Sequence, residues 1–225
     1  MELQSEIREA LSDERFGRYL TACSNNVEKA CTLYLWNMQV SSAFFPWLSV
    51  AEVVLRNRIH LALSTVHGSE WPWANGFERT LPQAKSHGFS LLEELQNTRK
   101  KHERGLQTGK VIADLKFAFW QQMLKKNQES PLWDRHLFTA FPNLDRTLSI
   151  RDNRKTVYQC VDKIRELRNR IAHHEPIFNR DLNGDYQNII KLIGICHSQK
   201  FIDWLKQGQQ VGQQPLLEFF LSNKP

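Results

Sequence analysis

Val157, Cys160, Val161, Ile164, Leu167 and Ile171 follow one another at steps of three and four, a spacing that an α-helix gathers into one continuous apolar face. The stripe predicts a helix from roughly Arg151. Pro176 disfavours helical geometry at Glu175, so His173 and His174 are expected in or near the last turn. No stretch of useful length alternates with the period of two that a half-buried strand requires. The expected class is all-α, a helical bundle.

The end of this helix is chemically crowded: Arg165, Arg168, Asn169, Arg170, His173 and His174 fall within ten residues. A purely structural helix rarely needs so many polar heads, because each must find a hydrogen-bond partner or reach water. A site that handles a phosphodiester does need them. Arginine offers phosphate oxygens a planar fork, and histidine moves a proton near neutral pH.

A chain of 225 residues, 41% of them hydrophobic, can bury a substantial core. The formal net charge of +6 and a pI near 9.2 favour an anionic partner, nucleic acid first. The densest basic run, Arg99-Lys100-Lys101-His102-Glu103-Arg104, also fits a solvated helix face. Cys23, Cys31, Cys160 and Cys196 are too scattered for a disulfide framework or a paired zinc motif and are expected as buried thiols. No secretory leader is evident, and no apolar run reaches the roughly 18 residues of a membrane span. These features predict a cytoplasmic protein with no membrane partner.

Residues 1–24 are expected as a helical appendage of two short helices, the second capped by Ser12, and residues 25–225 as the helical domain. A helix from Asn25 or Asn26 would bury Val27, Ala30, Cys31, Tyr34, Leu35 and Met38. Pro46 would kink or stop it, and a second helix would run from Leu48 to Val66. Residues 67–82 read as a long loop whose Trp71 and Trp73 either pack on the bundle end or stack a nucleobase. A helix follows at Leu91, with a break from Gly105 to Gly109. Val111–Lys125 reads as a single core helix, and Ile189–Leu205 as a closing helix after an Asn183-Gly184-Asp185 turn. Gln207–Gln214 reads as a solvated break, and Leu216–Leu221 as an apolar strap.

Leu55-Arg56-Asn57-Arg58-Ile59 repeats Leu167-Arg168-Asn169-Arg170-Ile171 letter for letter. In the first copy His60 follows Arg56 by four residues, whereas His173 follows Arg168 by five. Glu52 and Arg56 are also spaced for an ion pair on one helix face.

Arg168-Asn169-x-x-x-His173 resembles the Arg-x(4–6)-His signature of HEPN-superfamily ribonucleases. Leu167–Arg180 is similar to the corresponding block of the Abi-like proteins, an abortive-infection family within that superfamily. Three further blocks match in order. They are Glu52 with the Arg56-Asn57 pair, Val111–Leu124 with Ala118 where the family pattern has Gly, and Pro131–Asn143. The resemblance implies a HEPN-type bundle and metal-independent RNA cleavage, in which a ribose 2′-hydroxyl attacks the adjacent phosphate without a cofactor. Arg168 would stabilise the phosphorane charge, His173 would transfer a proton and Asn169 would orient the site, with His174, Glu52, Arg56 and Asn57 as accessory positions. It also implies a homodimer with a composite active site, and an RNA or protein antitoxin that restrains the activity.

Around a straight helix at about 100° per residue, Asn169 and His173 share a face, while Arg168 lies about 140° from His173. The two become neighbours only if the helix end distorts before Pro176, or if Arg and His of two chains meet across a two-fold interface. Without the resemblance, the cluster reads as a capped helix whose cations complement the C-terminal dipole. A metal set of His173, His174 and Glu175 with His197 or Cys196 would need adjacent ligands to point to one side. The competing functions are a non-catalytic RNA-binding module and a regulatory helical dimer.

Overall fold

The computed structural model describes residues 3–83, 88–103, 107–212 and 214–225. Its elements are helical almost throughout, and the class is all-α.

Two short helices, α1 (Leu3–Leu11) and α2 (Asp13–Ala22), precede the central element. The Ser12 hydroxyl accepts the Arg15 N–H and so caps α2 as expected. The central helix α3 (Val27–His67) is 41 residues long, opened by Asn26 on the Lys29 N–H and closed at Gly68, whose φ of 84° turns the chain out. Pro46 does not stop it. Pro46 and Ser42, whose carbonyl it leaves without an i+4 donor, both face solvent, so water can take that carbonyl. Buried Ala43, Phe44, Trp47 and Leu48 meanwhile hold the helix against its neighbours. The buried face also differs from expectation: Ala30, Leu33, Asn37, Val40 and Phe44 point inward, leaving Leu35 59% and Met38 54% exposed.

Contrary to the expectation from composition, α3 contains a window apolar and long enough to cross a bilayer. Here the helix packs against α2 and, further along the chain, against most of the remaining bundle, as a core helix does. A 3₁₀ turn (Trp71–Trp73) and α4 (Asn75–Glu78) follow. Trp71 is fully buried and Trp73 half-buried, so the tryptophans pack rather than present stacking faces.

Ser90 caps α5 (Leu91–Lys101). Its basic tail is only in part a solvated face. Arg99 pairs with Glu78 at 2.5 Å, His102 meets Asp114 at 2.7 Å, Lys100 and Lys101 are exposed, and Arg104 lies outside the described residues. Of the expected Gly105–Gly109 break, residues 105 and 106 are likewise outside, and Gly109 is helical. The expected helix Val111–Lys125 is two helices, α6 (Thr108–Asp114) and α7 (Phe117–Gln122). Glu94, 8% exposed, accepts both the backbone N–H and the ammonium of Lys116, and that competition breaks the helix at Leu115–Lys116.

A 3₁₀ turn (Lys126–Gln128) and a π turn (Glu129–Trp133) lead into α8 (Asp134–Ala140). Arg154 pins that turn to the next helix through Glu129 at 2.8 Å and the Leu124 carbonyl at 2.5 Å. Ser149 caps α9 (Ile150–Ala172), whose apolar stripe is buried as expected from Val157 to Leu167. Asn183-Gly184-Asp185 is the first turn of α10 (Leu182–Cys196), capped by Asp181. The closing helix stops there and restarts as α11 (Gln199–Gly208). Asn143 donates to the carbonyls of Gly194 (2.9 Å) and His197 (2.8 Å), and Arg58 donates to that of Cys196, so the break leaves these acceptors satisfied.

The tail folds back as a two-residue ladder, β1 (Gln210–Val211) with β2 (Gln214–Pro215), in place of the expected solvated break, of which Gln213 lies outside the described residues. The last helix, α12 (Leu216–Ser222), docks on α3 as the expected strap, with the Trp36 indole donating to the Phe220 carbonyl. All four cysteines are free. Cys160 and Cys196 are buried, whereas Cys23 and Cys31 are only half-buried.

Candidate functional site

The end of α9 is a complete Schellman motif. The Glu175 N–H reaches the Arg170 carbonyl at 2.8 Å and the His174 N–H that of Ile171 at 3.0 Å, while His174 takes the left-handed conformation at φ 55°. The His173 N–H still bonds to the Asn169 carbonyl at 2.9 Å, so the helix is regular as far as His173. Distortion before Pro176 therefore does not bring Arg168 to His173 within one chain. Arg15 of α2 donates to the His174 carbonyl at 2.8 Å, placing a cation where the helix dipole favours one.

Glycine is the usual residue at such a left-handed cap, and a non-glycine side chain there costs about 1 kcal/mol. His174→Gly should raise stability by up to about 1 kcal/mol, seen as a higher urea midpoint at unchanged slope. A lower midpoint would show that the imidazole makes a stabilising contact.

The two copies of Leu-Arg-Asn-Arg-Ile converge. Arg56 from α3 and Arg168 from α9 line one cavity of about 320 Å³, together with Glu52 and the apolar Phe45, Val53 and Ile171. The expected Glu52–Arg56 ion pair is not formed; Arg56 reaches instead to the Ala113 carbonyl at 3.1 Å. The second arginine of each copy has a capping task, Arg58 at the end of α10 and Arg170 on the Pro176 carbonyl at 3.4 Å. Among the described residues, the side chains of Arg168, Asn169 and His173 make no hydrogen bond or ion pair. Arg168, His173, His174 and Asn57 are exposed, and Asn169 is half-buried. His173 lies outside the arginine cavity, and among the described residues no group of His, Cys, Asp and Glu gathers as a metal set.

His60 is occupied elsewhere. Its Nδ1 accepts the Trp71 indole N–H at 2.8 Å, which requires the tautomer protonated at Nε2. Burial lowers the pKa of His60, and likewise those of His67 and His197. On acidification through about 6.5 the unfolded chain takes up these protons before the folded chain does. The stability they contribute is whole above that pH and lost as pH falls from there towards the folded values. Carboxylates held low, such as Glu78 through Arg99, titrate beneath this window. The melting temperature should therefore be lower at pH 5.5 than at pH 7.5. An unchanged or higher value at pH 5.5 would contradict this assignment.

A larger cavity, about 720 Å³, opens between α2, α3 and the end of α9. It shares Phe45, Ile171 and Ala172 with the arginine cavity, and Arg15, His174 and Glu175 with a third cavity of about 250 Å³ that adds Arg18. Its wall includes Tyr34, packed edge-on at 4.9 Å against Tyr19, whose phenol burial pushes up to about 12. It also includes Asn37, whose Oδ1 accepts the N–H groups of Ile177 at 2.8 Å and Phe178 at 3.1 Å. Neither Asn37 nor Arg15 belongs to a motif in the sequence. The signal for Asn37 was an amide alone on the Ala30-Leu33-Val40-Phe44 face.

The family model of the Abi-like proteins matches residues 6–179, well over half of the chain and every candidate site residue. The chain belongs to the Abi-like protein family. Membership connects it with abortive-infection-type function. Comparison with curated proteins and with solved structures gives no significant match.

Proposed function

We propose that this Abi-like protein is a HEPN-type endoribonuclease that cleaves RNA without a metal ion, by attack of the ribose 2′-hydroxyl on the adjacent phosphate. The observation that carries the reading is the convergence of Arg56 and Arg168 in one cavity, beside an α9 end whose Arg168, Asn169 and His173 side chains have no structural task. Arginine and histidine heads with no internal partner are free to engage an anionic ligand. Arg168 would take the charge that develops on phosphorus-bound oxygen, aided by Arg56, and His173 would move the proton.

Because Arg168 and His173 lie on different sides of one regular helix, the active unit on this reading is a homodimer in which each half-site draws its arginine and histidine from different chains. It would act in the cytoplasm in phage defence or as a toxin-like growth brake, restrained by an RNA or protein antitoxin. The test is end-labelled RNA incubated with the purified chain in excess chelator. Cleavage is expected to proceed. Cleavage that requires added divalent metal would overturn the mechanism, and retention of intact RNA would favour the non-catalytic binding module.

A further inference from the structure

The larger cavity is a built pocket. Asn37 is only 5% exposed, and its oxygen is fully engaged by two backbone donors. That engagement fixes the amide orientation, because an NH₂ group could not accept either N–H. The other end, Nδ2, has no partner among the described residues, yet it is not among the sealed, unsatisfied side-chain atoms, which are those of Trp47, Arg99 and Trp120. It therefore opens to the cavity it lines, as a pair of N–H donors awaiting an acceptor. A donor pair open to a cavity is met by water, and a ligand oxygen can take the place of that water.

The remaining surroundings narrow the ligand. The walls are aromatic and apolar at Tyr34, Met38 and Phe45, the last 66% exposed at the rim shared with the arginine cavity. A planar ring fits there by stacking and burial. Arginines line the two adjoining cavities, Arg56 and Arg168 beside Glu52 in one, and Arg15 and Arg18 beside Glu14 and Glu175 in the other. That order, cation, aromatic pocket, cation, is complementary to phosphate, base, phosphate along a single strand. The volume of about 720 Å³ lies in the usual range for a small-molecule site, about 300–1,000 Å³.

We infer that this cavity is a base-recognition pocket, which takes one unpaired nucleobase of the RNA substrate through a ring carbonyl oxygen on the Asn37 amide. The inference rests on the RNA reading above and adds base selectivity to it. Because the Asn37 oxygen is spent, the Asn37 amide offers this pocket donors only. Uracil and guanine present carbonyl oxygens to such donors, whereas adenine places an amino donor in the corresponding position.

The test compares oligo(U) and oligo(A) on the full chain, by fluorescence anisotropy at one fixed salt concentration and by cleavage rate. The wild type should prefer oligo(U) by about tenfold, the effect of one neutral buried hydrogen bond. Asn37→Asp keeps oxygens for the Ile177 and Phe178 N–H groups but removes the donors, and should abolish the preference. Ser42→Trp, which fills the pocket from an exposed position of α3, should abolish it too while an abasic strand still binds. Equal binding and cutting of oligo(U) and oligo(A) by the wild type would overturn the pocket and leave the ribonuclease reading intact. Selective binding of oligo(U) without cutting would support the pocket and overturn the ribonuclease. A preference that survives Ser42→Trp in a folded chain would also overturn the pocket.

Discussion

His173→Ala is expected to lower RNA cleavage by about 10²- to 10⁴-fold in a chain that folds normally, the range that a positioned proton-transfer group supplies. Its side chain is exposed and makes no hydrogen bond or ion pair among the described residues, so truncation removes no native interaction and the melting temperature should hold. His174→Ala should leave a measurable fraction of activity, because the contact the structure gives His174 is through its carbonyl to Arg15. The order of the two losses is the test; a larger loss from His174 would exchange their roles. Mixing His173→Ala chains with Arg168→Ala chains examines the interface. Each heterodimer keeps one Arg168 and one His173, on opposite chains. Activity regained in the mixture would support a half-site shared between chains. Activity in monomers at high dilution would exclude it.

Arg168→Lys should cut kcat/KM by about 10²-fold while changing RNA affinity only a few-fold. Lysine keeps the positive charge in the cavity but not the planar two-point fork, and charge alone carries most of the attraction to a polyanion. The fork matters where charge develops on the phosphorane oxygens, so the loss belongs in the chemical step. Equal losses in rate and affinity would indicate plain phosphate binding. Unchanged cleavage would remove Arg168 from the site, and the shared cavity with Arg56 would then need another explanation.

The legible parts of this fold were those where local pattern and tertiary packing agree. Helix α9 has one apolar stripe, a serine cap and a terminal proline, and each acts as its chemistry suggests. Helix α3 has apolar residues on most sides, so its buried face could not be chosen by period, and Leu35 and Met38 were assigned inward when they face out. Pro46 alone predicts a kink or a restart, because the exposure of Ser42 and the packing of Phe44 and Trp47 are tertiary facts. The breaks at Lys116 and His197 were missed for the same reason, being made by Glu94, Arg58 and Asn143 from distant parts of the chain.

The site divides along the same line. Arg168, Asn169 and His173 stand in one short motif, and the repeat drew attention to Glu52, Arg56 and Asn57. That Arg56 and Arg168 share a cavity, while His60 is spent on Trp71, depends on how α3 and α9 pack. Asn37 is marked locally only as an amide on an apolar face, and Arg15 not at all, since their partners lie 140 and 159 residues away.

The central claim is that the substrate's own 2′-hydroxyl is the nucleophile, and the direct measurement is cleavage of one labelled sequence made as RNA and as its 2′-O-methyl counterpart, both in excess chelator. Both strands should bind, only the RNA should be cut, and its fragments should end in 2′,3′-cyclic phosphate and 5′-hydroxyl. Cutting of the 2′-O-methyl strand, or fragments ending in 5′-phosphate, would contradict it.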